Sequence, residues 1–188
     1  MKAAIRLFAA QGYDATTTLQ ISREVGVTEP TIFYHFKNKQ HFFNTILEDA
    51  LSRYLGRLEQ LNLSGPTAFG CIEEILRFHL TIVDDEPHYL RILLRTCPAR
   101  LNNPDDKCTK FYRQSRFQLK EAIRKILEKG MNSGEFIQIE IDATANVLLV
   151  MINGLMRQKL AALDALKGVE LATIEFCRNA LLAKKQRI

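Results

Sequence analysis

Apolar residues recur at spacings of three and four along almost the whole chain, and no stretch alternates apolar with polar between hairpin turns. That period belongs to helices packed through one face, so the fold class is predicted to be all-α. Glycine, proline and asparagine punctuate the pattern at Gln11-Gly12, Gly26, Lys37-Asn38, Ser64-Gly65-Pro66, residues 84–87, residues 98–106, Asn132-Ser133-Gly134 and Lys167-Gly168. Cutting there leaves three short helices in the first forty or so residues. A long amphipathic helix from Lys39 to about Leu61 follows, then segments through Ile72 to Val83 and Tyr89 to Leu94. A 107–131 helix, a 142–163 helix and a 169–184 helix complete the chain. We therefore expect a small helical head at 1–45 and a larger helical domain at 46–188. With 188 residues, 47% of them hydrophobic and 25% charged, the chain can bury a sizeable core.

Several function classes are excluded or disfavoured at this level. The most apolar stretch, residues 143–156, carries two asparagines and is too short to span a bilayer. The apolar run near the N-terminus is interrupted by Arg6 and lacks a small-residue cleavage site. The expectation is a cytoplasmic protein with no membrane partner. Cys71, Cys97, Cys108 and Cys177 form neither a C-x-x-C pair nor a zinc-ligand spacing, so we expect reduced thiols and no metal. There is no nucleophile elbow, H-E-x-x-H, phosphate loop or dinucleotide fingerprint, so we expect neither an enzyme nor a cofactor. The formal charge of +5 favours a polyanionic partner.

The head says which polyanion. Thr16-Thr17-Thr18 supplies capping hydroxyls for a second helix carrying Leu19, Ile21 and Val25, and Gly26 closes it. Thr28 caps a third helix, whose first turn tolerates Pro30 because no intrahelical partner awaits the missing amide hydrogen. Two short helices joined by so tight a turn make a helix-turn-helix, whose second helix enters the DNA major groove. With Ile32, Phe33 and Phe36 turned to the core, Glu29, Pro30, Thr31, Tyr34 and His35 fall on the outer face. Tyr34 and His35 can donate to phosphates, and Lys39 adds a cation at the start of the next helix. Thr17 and Thr18, with the amides behind them, offer another phosphate site.

In order and spacing, residues 4–18, Ile21-Ser22, Gly26-Val27-Thr28 and residues 31–36 with Lys39 resemble the tetracycline-repressor (TetR) family of bacterial transcriptional regulators. The resemblance is strong over about the first fifty residues. It implies a two-fold homodimer, double-stranded operator DNA as partner, and a larger domain that binds a small-molecule effector. Binding of the effector usually releases the operator. The chain departs from the family pattern in four ways: Glu29 stands where a basic residue is common, Pro30 replaces glycine or alanine, and Phe33 replaces tyrosine. Met1 also falls inside the first helix, where members usually have a preceding basic arm, which reads as a trimmed or partly ordered N-terminus.

Beyond the head the residues are less specific. Phe78, His79, Ile82, Leu94, Phe111, Tyr112 and Phe117 are candidates for an apolar effector pocket, and equally for packed core. The resemblance implies that the last two helices pair with their symmetry mates, which makes Asn146, Leu149, Val150, Asn153, Gly154, Ile174, Cys177 and Leu181 the expected dimer residues. The leading expectation is a repressor released by a hydrophobic effector. The alternative is a DNA-binding dimer with no effector, or one governed by a protein partner.

Overall fold

A computed structural model describes residues 1–99, 107–161 and 168–183. Among them run α1 (Lys2–Ala15), α2 (Thr18–Val25), α3 (Glu29–His35), α4 (Lys39–Glu59), α5 (Ala68–Asp85), α6 (Pro87–Ala99), α7 (Lys107–Asn132), α8 (Ile141–Leu160) and α9 (Val169–Leu181). The only extended pairing among these residues is a single antiparallel bridge, Phe136 with Leu182. The fold is all-α. It divides into two compact units, residues 1–57 with 86–113 and residues 58–85 with 114–188.

In the first unit, α1 buries Ala3, Ala4, Ile5, Phe8 and Ala9, then breaks at Gly12, whose φ of 85° is open only to a residue without Cβ strain. Phe8 meets Phe43 of α4 edge-on at 4.8 Å between ring centroids, and Tyr13 meets the same ring at 4.9 Å. The start of α2 is a capping box: Thr17 Oγ1 accepts from the Gln20 amide at 3.1 Å, and the Gln20 side chain accepts from the Thr17 amide at 2.9 Å. Gly26 closes α2 in the left-handed region at φ 76° and turns the chain into α3. Helix α6 packs against α1 in this unit. A polar seam also joins α6 to α4. The Tyr89 hydroxyl donates to Asp49 Oδ2 at 2.7 Å, and the Arg53 guanidinium donates to the same carboxylate while lying over the Tyr89 ring.

The second unit is built on α5, which packs against α8 and α9. Ile72, Ile75, Leu76 and Ile82 of α5, Ile123 and Leu127 of α7, and Leu149 of α8 are almost fully buried. The two amides at the start of α5, those of Ala68 and Phe69, are capped by the Glu135 carboxylate at 2.7 and 2.8 Å, from 67 and 66 residues away. A carboxylate there satisfies orphan donors and meets the positive end of the helix dipole.

Phe136, beside that carboxylate, fills the space over Gly130. A Cβ at Gly130 would lie 2.2 Å from the Phe136 ring. Gly130→Ala should therefore lose about 2 kcal/mol, because the clash outweighs the roughly 1 kcal/mol that alanine adds to a helix interior. Gly56 in α4 has open space above it. Gly56→Ala should gain about 0.5–1 kcal/mol, and urea denaturation of the two variants checks both signs.

Some boundaries and faces differ from expectation. Helix α6 runs through Pro98 to Ala99, and the rest of the expected loop, residues 100–106, lies outside those described. Helix α8 ends at Leu160 rather than 163, and the last residues of the expected span lie outside the described ones. Helix α9 stops at Leu181 rather than 184 because Leu182 turns extended. The Ile137 amide donates to the Leu181 carbonyl and the Ala183 amide to the Glu135 carbonyl, which anchors that end. On α2 only Ile21 of the expected apolar face is buried, while Leu19 and Val25 are exposed.

Candidate nucleic-acid interface

Helix α3 has seven residues and buries one of them, Ile32. That anchor fixes which side faces solvent. Tyr34 is 86% exposed and Phe33 44%, and Pro30, Thr31 and His35 are exposed as well. The Tyr34 and His35 rings meet edge-on at 5.1 Å. Phe33 was expected in the core and is not there. Helix α3 buries only Ile32, and Phe36, its extended C-cap, takes the inner place by stacking on Phe42 at 4.1 Å, which leaves Phe33 outside.

The polar side chains around α3 are already partly engaged. Thr17 is the α2 cap, as its place in the threonine run allowed. The Thr28 side chain makes no cap bond; its hydroxyl is 2.9 Å from that of Thr31. The Thr18 hydroxyl donates to Glu29 Oε1, which ties the start of α2 to the start of α3. Lys39 begins α4 and holds its ammonium 4.3 Å over the Tyr13 ring and 3.4 Å from the Asp14 carbonyl. A cation held on an aromatic face keeps its charge while losing rotamer freedom, which suits it to meet an anion. Lys37 is exposed in the turn before α4, where spacing arguments had not singled it out.

The effector-pocket candidates do not converge in this way. Phe78, His79 and Ile82 of α5 and Leu94 of α6 are buried. His79 Nδ1 donates to the Ile75 carbonyl at 2.7 Å, and burial pulls the imidazole down to about 4 from its ordinary 6.5. Tyr112 is half-buried, Phe117 stands 64% exposed, and the Phe111 side chain lies outside those described. A cavity of about 140 Å³ in the second unit is lined instead by Leu80, Leu155, Lys159, Gly168, Val169 and Glu170. The Lys159 ammonium there is held by Asp84 and the Leu80 carbonyl.

The expected dimer residues split between two faces. Leu149, Ile174, Cys177 and Leu181 are buried within their own unit. Burial also pushes the Cys177 thiol up to about 11. Asn146, Val150 and Gly154 are exposed, and Asn153 bonds back to the Leu149 carbonyl. The solvent face of α8 carries Ala143, Val147, Val150 and Gly154 at spacings of four, three and four, with nothing above Gly154. Leu171 and Phe176 are the corresponding exposed apolar residues of α9. The amphipathic period could not separate these faces, because α8 is apolar nearly all round.

Among the described residues, no group of three His, Cys, Asp or Glu side chains converges to hold a metal, and no helix is long and apolar enough to cross a membrane.

Residues 1–46 match the family model of bacterial regulatory proteins, tetR family. A similar curated protein is the biofilm operon icaADBC HTH-type negative transcriptional regulator IcaR of Staphylococcus epidermidis. It is 26% identical over 102 residues, which cover 53% of this chain and 54% of that one. The chain thus spans little more than half the length of that relative. In structure, the ketosteroid transcriptional regulator KstR2 of Mycobacterium tuberculosis superposes with a TM-score of 0.81 at 14% identity, over 97% of this chain and 93% of the other. AibR, solved in complex with isovaleryl coenzyme A and operator DNA, superposes with a TM-score of 0.66 at 14% identity, over 89% and 93%. At those identities the likeness carries the fold, while the head's ordered residue pattern carries the kinship. Through residues 1–46, the head of the chain matches the TetR family of bacterial regulatory proteins.

Proposed function

We propose that this protein is a cytoplasmic, homodimeric regulator that binds double-stranded operator DNA through residues 1–45 and responds to a small hydrophobic effector through residues 46–188, acting as a repressor. The observation that carries the DNA reading is the outward face of α3. An 86%-exposed tyrosine beside an exposed phenylalanine and histidine, on a helix anchored by Ile32 alone, has no use within the head. In the major groove it has several. Tyr34, His35, Lys39 and Thr17 would meet phosphates, and Pro30, Thr31 and Phe33 would meet base edges or thymine methyls, with Thr28 supporting Thr31. The role of IcaR as a negative transcriptional regulator supports repression. The complex of AibR with isovaleryl coenzyme A makes acyl-coenzyme A thioesters the first effector class to test.

A titration of DNA from the protein's own upstream region, followed by fluorescence anisotropy beside a scrambled duplex, tests the reading. Tight, sequence-selective binding supports it, and weak, equal binding to both duplexes removes it. Tyr34→Phe should weaken operator binding about fivefold to tenfold with an unchanged melting temperature, since only the phenol is lost from a solvated ring. Lys39→Ala should weaken binding on all sequences and reduce the log–log salt slope by about one, while losing roughly 0.5–1 kcal/mol of stability with the Tyr13 contact.

A second reading, a DNA-binding dimer that answers to no small molecule, is favoured by one observation. Ile72, Ile75, Leu76, Ile123, Leu148 and Ile152 close on one another in the second unit without room for a water molecule. Release of bound operator by acyl thioesters or other hydrophobic compounds would exclude it.

A further inference from the structure

Within the DNA-binding reading, on which this inference rests, we infer that Glu29 selects a cytosine in each operator half-site and that Thr18 is the residue that aims it. The Thr18 hydroxyl has a single hydrogen, and the structure commits it to Glu29 Oε1. The Thr18 hydroxyl therefore has no hydrogen left for a phosphate, the role its position at the start of α2 first suggests. Its work is to hold a carboxylate. Glu29 is the first residue of α3 and is partly exposed, with no second hydrogen-bond partner among the described residues. The constraint is useful because a glutamate side chain left free would sample many rotamers, and ordering it only on binding would weaken the contact.

An ionised carboxylate accepts and cannot donate. In the major groove, guanine presents two acceptors and thymine presents a carbonyl and a methyl. Each would set lone pairs or apolar surface against the Glu29 oxygens. Adenine offers one donor beside an acceptor, and cytosine offers its N4 amino group with no acceptor of its own. Cytosine is the base that meets Glu29 without repulsion. The same charge repels any phosphate near the start of α3, so Glu29 must sit over a base edge for the head to dock at all. The neighbouring residue fits this placement. Pro30 has no amide hydrogen with which to hold a phosphate, so this first turn reads rather than anchors.

The test is selection from a duplex pool randomised across the half-site, sequenced after enrichment, with the wild type, Glu29→Gln, Glu29→Ala and Thr18→Val. The wild type should enrich one cytosine position in each half-site by about tenfold over the next base. Glu29→Gln should move that position to adenine, whose N6 and N7 a glutamine amide meets in bidentate fashion. Glu29→Ala should flatten that position alone, and Thr18→Val should reduce the preference severalfold at the same position while leaving the rest of the site unchanged. A selected half-site identical in the wild type and Glu29→Ala would overturn the Glu29 assignment and leave the regulator reading standing. Failure of the wild type to enrich any sequence would overturn both. A preference in Thr18→Val equal to that of the wild type would overturn the aiming role.

Discussion

Placing glutamates at Val150 and Phe176 should yield a folded monomer and weaken operator binding by about 10²-fold or more. Val150 is 64% exposed on α8 and Phe176 65% exposed on α9. Neither side chain supports its own unit, and exposed positions of this kind usually change stability by less than about 0.5 kcal/mol. In a dimer the same side chains would be buried, and a carboxylate without a partner there costs several kcal/mol. Two heads on one palindromic site bind as a linked pair, the second at an effective concentration near the millimolar range, so splitting the dimer removes that advantage without touching a DNA contact. Sedimentation of the double variant reads the monomer directly, and anisotropy on a full palindrome against a single half-site reads the consequence. A double variant that stays dimeric would move the interface away from these faces. The control is Leu149→Ala: the side chain is 1% exposed, so it should lose about 2–5 kcal/mol of stability.

Why the expected dimer residues fall on both faces of α8 and α9 while the turns of the head were legible follows from the kinds of signal involved. Gly12 and Gly26 stop helices through their own backbone angles, and Thr17 with Gln20 makes a capping box from residues three apart, so local sequence encodes them fully. The resemblance singled out Tyr34, His35 and Lys39 by order and spacing, and the structure leaves Tyr34 and His35 exposed. Phe33 escaped because Phe36 falls just past the end of α3 in extended backbone, so helical spacing does not place 32, 33 and 36 on one face, and only the placement of Ile32 and Phe36 decides which ring is left outside. Helix α8 poses the same problem at greater length: Leu148, Leu149 and Val150 are consecutive, and the first two are buried while the third is exposed. Long-range contacts leave no local trace at all. Glu135 caps α5 and Gly130 makes way for Phe136 through the tertiary path of the chain, and neither residue stands out in a window around itself. The Thr18–Glu29 bond is intermediate. Its partners lie eleven residues apart across a turn that the sequence announces, yet only the relative placement of α2 and α3 brings them together.

His79 should make the stability of the protein depend on pH in a defined window. The imidazole is 2% exposed in α5, beside the Phe78 ring, and its Nδ1 donates to the Ile75 carbonyl. Burial holds the folded value down to about 4, against 6.5 for the free side chain, and the carbonyl bond offsets only part of that. Above about pH 6.5 both folded and unfolded chains carry the ring neutral, and it imposes no pH-dependent cost. As pH falls from there towards 4, the unfolded chain takes up a proton that the folded one refuses, so stability declines with falling pH. Below about 4 both forms are protonated and the decline from this residue is complete. At about 1.4 kcal/mol per pH unit over that interval, the loss is about 3 kcal/mol, a large share of the stability of a chain this size. His79→Leu keeps an apolar side chain of similar reach and removes the titration. Urea denaturation at pH 7.5, 6, 5 and 4.5 should give a wild type that falls away from the variant through the window, with the difference approaching its limit near pH 4. Equal losses in both proteins would mean that the imidazolium reaches water or an anionic partner in the folded state. Because only the difference between the two profiles is read, carboxylates such as Asp142, held down by Lys120 and Arg124, cancel from the comparison.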